Sequence, residues 1–315
     1  MRRVLAVVAL TLAGTLGAHA LPAADPPLLA MAQAQHYLYP LGTLQRQEEL
    51  LAEMAMLSLL SRMFDADGRC TSDACVKDRR DIYAETALAY SRLGMKLLAL
   101  RFFRAVESDA PNDAEAHYDV AAELDSLHQT EGAEKEFGRA LELSSGKDQK
   151  IEEGAARFYL LNNRLDLARA HFEHCILLQG EADLSQYCAI GLALTRMHGG
   201  NDSLLLPITT ATTWPGPLLT FVRGKGDEAA LAAEIARTEN ADTRRQHLCE
   251  ALYYVGEWQL QRGEAMLALR YFRASVSMRV ESFWETRAAM LRIEQLHGND
   301  DVLPTAPPPS HAPIG

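Results

Sequence analysis

Apolar positions along this chain cluster into blocks with helical spacing, separated by short stretches rich in Gly, Asn, Asp and Pro. A longer pattern overlies them. Ala99 and Phe103 are followed by Ala133 and Phe137, then by Ala168 and Phe172, at steps of 34 and 35 residues. The same Ala-x-x-x-Phe pair returns at Ala268 and Phe272, 100 residues later, leaving room for two degenerate copies between. A fixed period near 34 marks a stack of helix-turn-helix units, none of which can bury its apolar face alone. Such a stack points to a protein that holds other proteins and away from a self-contained catalyst.

The elements follow from these blocks. Thr43 to Met63 carries Leu44, Leu50, Leu51, Met54, Leu57 and Leu60 with charges on the other side, which predicts an amphipathic helix. Clear units are predicted over 80–113, 114–147, 149–182 and 245–281. In the first, Tyr83, Ala87 and Tyr90 share a face, Gly94 ends the first helix as a left-handed cap, and Pro111 stops the unit. The second puts Ala121, Leu124, Ala133, Phe137 and Ala140 in matching slots, and the third Ala156, Tyr159, Ala168, Phe172 and Cys175. Small Ala residues at the crossing let two backbones approach, and Phe fills the gap beside them. A further helix runs from Leu184 to Met197. Pro207, Pro215 and Pro217 then weaken the pattern over 203–224, and helix resumes from Asp227 to Thr238. The last unit breaks at Gly263, and a closing helix spans Ser282 to Leu296.

Composition and termini add the setting. The chain has 315 residues, 48% hydrophobic and 23% charged, ample for a buried core. A net charge of −11 without a dense Lys/Arg run argues against nucleic acid as the partner. Arg2 and Arg3, the apolar run Val4 to Leu16 and the small-x-small site Ala18-His19-Ala20 make residues 1–20 an export signal, too short for a membrane span. Residues 21–42 form an expected flexible leader, 43–299 the helical repeat domain, and 300–315 a disordered Pro-rich tail. Export implies a periplasmic location, where disulfides form. Cys70 and Cys75 are close enough to staple a loop. Cys175 and Cys188 sit nearly symmetrically about the turn 180–183, so both pairs are candidate disulfides, with buried free thiols the alternative. Cys249 is left over.

These slots resemble the tetratricopeptide repeat: aromatic and small residues on the first helix, Ala-x-x-x-Phe on the second, Pro at the end. The resemblance implies an all-α fold of stacked helix-turn-helix repeats in a right-handed superhelix. A narrower similarity is to the NlpI family of envelope adaptor lipoproteins. It rests on Thr43-Leu44-Gln45-Arg46-Gln47-Glu48, on Tyr90-Ser91-Arg92-Leu93-Gly94, on Trp214 followed by Phe221 and Gly224, and on Leu252-Tyr253-Tyr254-Val255-Gly256 through Ala268-Leu269-Arg270-Tyr271-Phe272. That resemblance implies a homodimeric, non-enzymatic adaptor that docks a periplasmic processing protease and presents or organises peptidoglycan hydrolases. The chain departs from the family at Thr15, which stands after Leu12-Ala13-Gly14 where an acylated Cys would be required. The alternative function is a scaffold subunit of a secretion or outer-membrane assembly machine.

Catalytic motifs are sparse in the sequence. Gly224-Lys225 lacks the rest of a phosphate loop, and neither a nucleophile elbow nor a His-Glu-x-x-His motif is present. His171, His174, Cys175 and Cys188 form the best metal candidate, but Cys175 occupies the small buried slot of its unit, so no metal and no cofactor is expected. What remains is the inner wall that the repeat family builds from its first helices. It marks Arg92, Tyr118, Asp125, Arg157, Arg196, Tyr253 and Glu257 as a protein-binding groove. Aromatic and Arg side chains are effective anchors for a bound segment.

Overall fold

The computed structural model describes residues 25–34, 50–51, 53–55, 57–58, 73–178, 180–199 and 212–297, and every regular element among them is a helix. A short helix α1 covers 27–34, and helical residues recur between 50 and 58. There follow α2 (Asp73–Arg92), α3 (Lys96–Asp109), α4 (Ala114–Ser126), α5 (Thr130–Ser144), α6 (Gln149–Leu161) and α7 (Leu165–Leu177). After them come α8 (Ala182–Met197), α9 (Gly216–Val222), α10 (Glu228–Ala236), α11 (Ala241–Gln261), α12 (Ala265–Ser277) and α13 (Trp284–His297). Neighbours pair as hairpins, α2 with α3, α4 with α5, α6 with α7 and α11 with α12. Each hairpin also rests on the next helix in the chain, α3 on α4, α5 on α6, α7 on α8 and α12 on α13.

Local chemistry sets where the helices start and turn. The Asp113 and Asp148 carboxylates accept from the Glu115 and Ile151 N–H groups, and Asp227 and Asn240 do the same for Ala230 and Thr243. Each satisfies a donor that a helix start leaves without a partner. Within the hairpins the chain reverses through a left-handed residue: Gly94, His128, Asn163 and Gly263, with φ of 74°, 58°, 57° and 80°. Their spacing is the same 34, 35 and 100 residues as that of the Ala-Phe pairs. The recurrence therefore extends from side chains to backbone.

Packing repeats with it. Ala99, Ala133, Ala168 and Ala268 are fully buried, and Phe103, Phe137, Phe172 and Phe272 nearly or fully so. The partner slot holds Ala87, Ala121, Ala156, Gly191 and Gly256. The rings lie so close there that a Cβ on Gly256 would sit 2.6 Å from Phe272 Cε1, and one on Gly191 would strike Phe172. Another cross-hairpin position, 19 residues apart, changes chemistry from unit to unit. It is an edge-on aromatic pair at Tyr83–Phe102, with centroids 5.5 Å apart. It becomes His117 with Glu136 and then Glu152 with His171, each at 2.7 Å.

Cys175 on α7 and Cys188 on α8 form a disulfide across the 180–183 turn, with Cα atoms 6.3 Å apart. Cys75 is also disulfide-bonded, while Cys70 lies outside the described residues. Cys249 is a buried free thiol against Ser275 and Thr286. Two segments differ from expectation. The Pro-rich stretch yields the short helix α9, because Pro217 stands in its first turn, where a missing N–H costs nothing. Within the leader, α1 is helical, because Leu28, Leu29 and Ala32 share one face and bury it in the main core. The export signal, most of the helix over 43–63 and the Pro-rich tail lie outside the described residues.

The close Phe contact predicts opposite signs for one substitution at two glycines. Gly256→Ala should destabilise the chain by about 1–2 kcal/mol, because the buried Phe272 ring has no room to move. Gly138→Ala, which meets nothing within 4 Å, should stabilise by about 0.5–1 kcal/mol. Urea unfolding of the two variants beside the parent chain measures both.

Candidate functional site

Arg157 on α6 is the centre of a buried charge cluster. One turn earlier, Glu153 pairs with it directly. Its guanidinium lies 5.0 Å from the Trp284 ring centroid and 5.8 Å from that of Tyr187. Two further buried carboxylates share this neighbourhood, Glu250 on α11 and Glu285 on α13. Glu250 accepts from the Tyr187 hydroxyl at 2.9 Å and from Trp214 Nε1 at 2.8 Å. Three carboxylates thus face one guanidinium, and charges in a low-dielectric interior must pair or neutralise. Burial pushes the Glu153 carboxyl up to about 7, against the pull of Arg157. Burial, reinforced by Glu285, pushes Glu250 up to about 8. Glu285 is raised by its own burial, again opposed by Arg157.

Beside this cluster lies a cavity of about 270 Å³. Tyr118, Asp125 and Arg157 from α4 and α6 form one wall, and Trp284, Arg287 and Met290 from α13 form the other. Arg287 pairs with Asp125 across 162 residues of chain, tying α13 to α4. Lys96, at the start of α3, also lines the cavity, with its ammonium 3.8 Å from the buried Glu123 carboxylate. The lining combines aromatic rings, cations and carboxylates. It can receive an apolar side chain from an extended or helical segment and pair with polar groups beside it.

The predicted groove residues divide among several settings. Tyr118, Asp125 and Arg157 meet at this cavity. Tyr253 is buried under α13, 5.2 Å from the Trp284 ring. Glu257 is buried between Arg292 Nε at 2.7 Å and His198 Nε2 at 3.2 Å, and the hydrogen bond from His198 and the charge of Arg292 hold its carboxyl low despite burial. Arg196 is partly buried, close enough to Arg223 to add to the burial that lowers that residue's pKa. Arg92 is exposed at the end of α2 and does not line the cavity. The whole α13 wall was missed by sequence reasoning. Its only local signal is the spacing of Trp284, Arg287 and Met290, which falls on one helical stripe.

Two histidine clusters bear on metal binding. His171 and His174 both contact the buried Glu152, at 2.7 and 3.1 Å, and the disulfide removes Cys175 and Cys188 as thiolate ligands. Glu107, His117 and Glu136 bring three donor atoms within 4.8 Å of one another. Arg104 already pairs with both carboxylates, reaching Glu107 Oε2 at 2.7 Å and Glu136 Oε1 at 2.8 Å, so their charge is balanced by a guanidinium. No protein-family model matches the chain. Among the described residues, no helix is long and apolar enough to cross a membrane.

The Arg157 cluster sets a pH dependence. Glu250 titrates near 8 in the folded chain against an ordinary value of 4.5, so the folded state binds the extra proton between these values. Its stabilising contribution is complete below the ordinary value and is lost as pH rises through about 8. Glu250→Gln keeps an acceptor for Tyr187 and Trp214 but cannot ionise. It should therefore raise the melting temperature at pH 8.5 and flatten its fall between pH 5.5 and 8.5, as read by thermal unfolding at both pH values.

Proposed function

We propose that this chain is a non-enzymatic protein-binding adaptor of the tetratricopeptide-repeat type, its hairpins stacked in a right-handed superhelix. It works in the bacterial periplasm, presenting cell-wall hydrolases to a processing protease or organising them. The observation that carries the reading is the cavity between α4, α6 and α13, where Tyr118, Trp284 and Met290 stand beside Arg157 and Arg287. Such linings anchor a partner's side chains through buried area and directional contacts. The recurring Ala-Phe slots support the repeat assignment, and the Cys175–Cys188 disulfide supports an oxidising compartment. The similarity to NlpI-type adaptors over 43–297 supplies the partner class. Bringing two proteins onto one surface raises the effective concentration of client at the protease without new chemistry.

The test is reconstituted proteolysis. A purified carboxy-terminal processing protease and a peptidoglycan endopeptidase are incubated with and without this chain. Accelerated client cleavage, about tenfold or more, is the expected result. An unchanged rate, with neither protein binding the chain, overturns the adaptor reading. Met290, 41% exposed at the cavity, gives the matched variant. Met290→Glu should weaken client binding about tenfold, the scale of one lost apolar anchor, while leaving the melting temperature unchanged.

A further inference from the structure

Helix α1 is seated on a face more than 190 residues away in sequence. Leu28 is fully buried, and Leu29 and Ala32 are each 4% exposed, all within the main core. Asp25, just before the helix, pairs with Arg270 on α12. The Leu28 N–H donates to Glu228 Oε1 on α10 at 2.9 Å, and Glu228 Oε2 accepts from the Tyr271 hydroxyl at 2.7 Å. Asp25, Leu28, Leu29 and Ala32 stand at i, i+3, i+4 and i+7, one face of a helix.

The polar contacts select for a helix start. Pro26 and Pro27 have no N–H, so Leu28 carries the first N–H that the helix leaves without an internal partner. A cap is ordinarily supplied by the helix's own chain just before it. Here a carboxylate on α10, fixed in place by Tyr271, supplies it from outside. That carboxylate also sits at the positive end of the α1 dipole. An extended strand would not present this donor above an apolar stripe.

Eight residues are too few for a stable helix in water. The Asp25–Arg270 pair is solvent-exposed, its two side chains 33% and 48% accessible, where ion pairs contribute little. Among the described residues, the seat of α1 is made by the buried Leu28, Leu29 and Ala32, the partly buried Met31, and one backbone hydrogen bond to Glu228.

We propose that the α10–α12 face is a helix-docking site that α1 occupies in cis. In trans it takes a short amphipathic helix of a partner protein with the pattern acidic-x-x-Leu-Leu-x-x-Ala. Its first free N–H bonds to Glu228 and its acidic residue faces Arg270. The site is separate from the α4–α6–α13 cavity and does not rest on the adaptor reading. With α1 able to seat in cis, the apparent partner affinity is the intrinsic affinity multiplied by the fraction of molecules in which the face is free.

The test uses the full chain carrying Leu28→Asp and Leu29→Asp, which unseats α1. The probe is a fluorescein-labelled peptide with the sequence of residues 22–36 of the parent chain. The unseated chain should bind it at least tenfold more tightly than the parent chain, read by fluorescence anisotropy. Adding Arg270→Glu should reduce that gain, and placing Leu28→Asp in the peptide should abolish it. Equal binding by the parent and unseated chains overturns the proposal. Should the unseated chain fail to fold, native-state hydrogen exchange on the parent chain decides. Opening of residues 27–34 well before α10–α12 supports a displaceable segment, and exchange only through global unfolding overturns it. Sedimentation identifies the occupant. A parent chain that stays monomeric excludes a second copy as the occupant, whereas a dimer lost on Leu28→Asp makes a second copy the occupant and overturns the partner claim.

Discussion

Phenylalanine rings pack tightly against glycine where helices meet, within a hairpin for Phe272 on α12 against Gly256 on α11, and between successive units for Phe172 on α7 against Gly191 on α8. Phe172 on Gly191 and Phe272 on Gly256 leave no room for even one added carbon. This contact lets two helix backbones approach closely, and each buried ring contributes about 1.5–3 kcal/mol of hydrophobic stabilisation. It also sets a direction. Because each hairpin uses one side for its own closure and the other for its neighbour, the polar chemistry at the 19-residue cross-hairpin position is free to vary. An aromatic pair, a His-Glu pair and a Glu-His pair all occupy it.

Beyond the contacts between neighbouring helices, two helices make ties over long stretches of chain. Helix α13 reaches across to α4 through Arg287 and Asp125, and α1 folds onto α10 and α12. Both ties mix an apolar seat with a charge pair. Beside the α13–α4 tie lies Arg157, whose guanidinium is shared by Glu153 and Glu285 and flanked by Trp284 and Tyr187. Removing one partner of a buried charge commonly costs about 3–5 kcal/mol, so the cluster resists small rearrangements of α6 against α13. Burial raises the pKa of all three carboxylates.

The helices and their hairpin pairing were legible because the signals are local. Ala133 and Phe137 are four residues apart, Gly94 and Gly263 mark turns by their own conformational freedom, and Cys175 and Cys188 flank a single turn. The cavity was legible only by half. Tyr118, Asp125 and Arg157 could be placed on one wall by the repeat period. The opposite wall comes from α13, whose approach to α4 depends on packing summed over all the intervening helices, and nothing near Arg287 in sequence announces Asp125 as its partner. The same limit explains α1. Pro26 and Pro27 read locally as leader, while Glu228 and Arg270, which give the helix its start and its seat, lie two hundred and more residues away.

The wall supplied by α13 changes what a bound segment would do. In a groove built from first helices alone, an occupant touches successive units and adds to each independently. In this cavity it touches α4, α6 and α13 together, so its binding energy is shared with the contact that ties the late units to the early ones. Occupancy would then favour the arrangement in which Arg287 and Asp125 are paired, because only that arrangement brings both walls within reach. An occupant that reached only one wall would gain nothing from the pairing, so the cavity favours segments whose side chains span from Tyr118 to Met290.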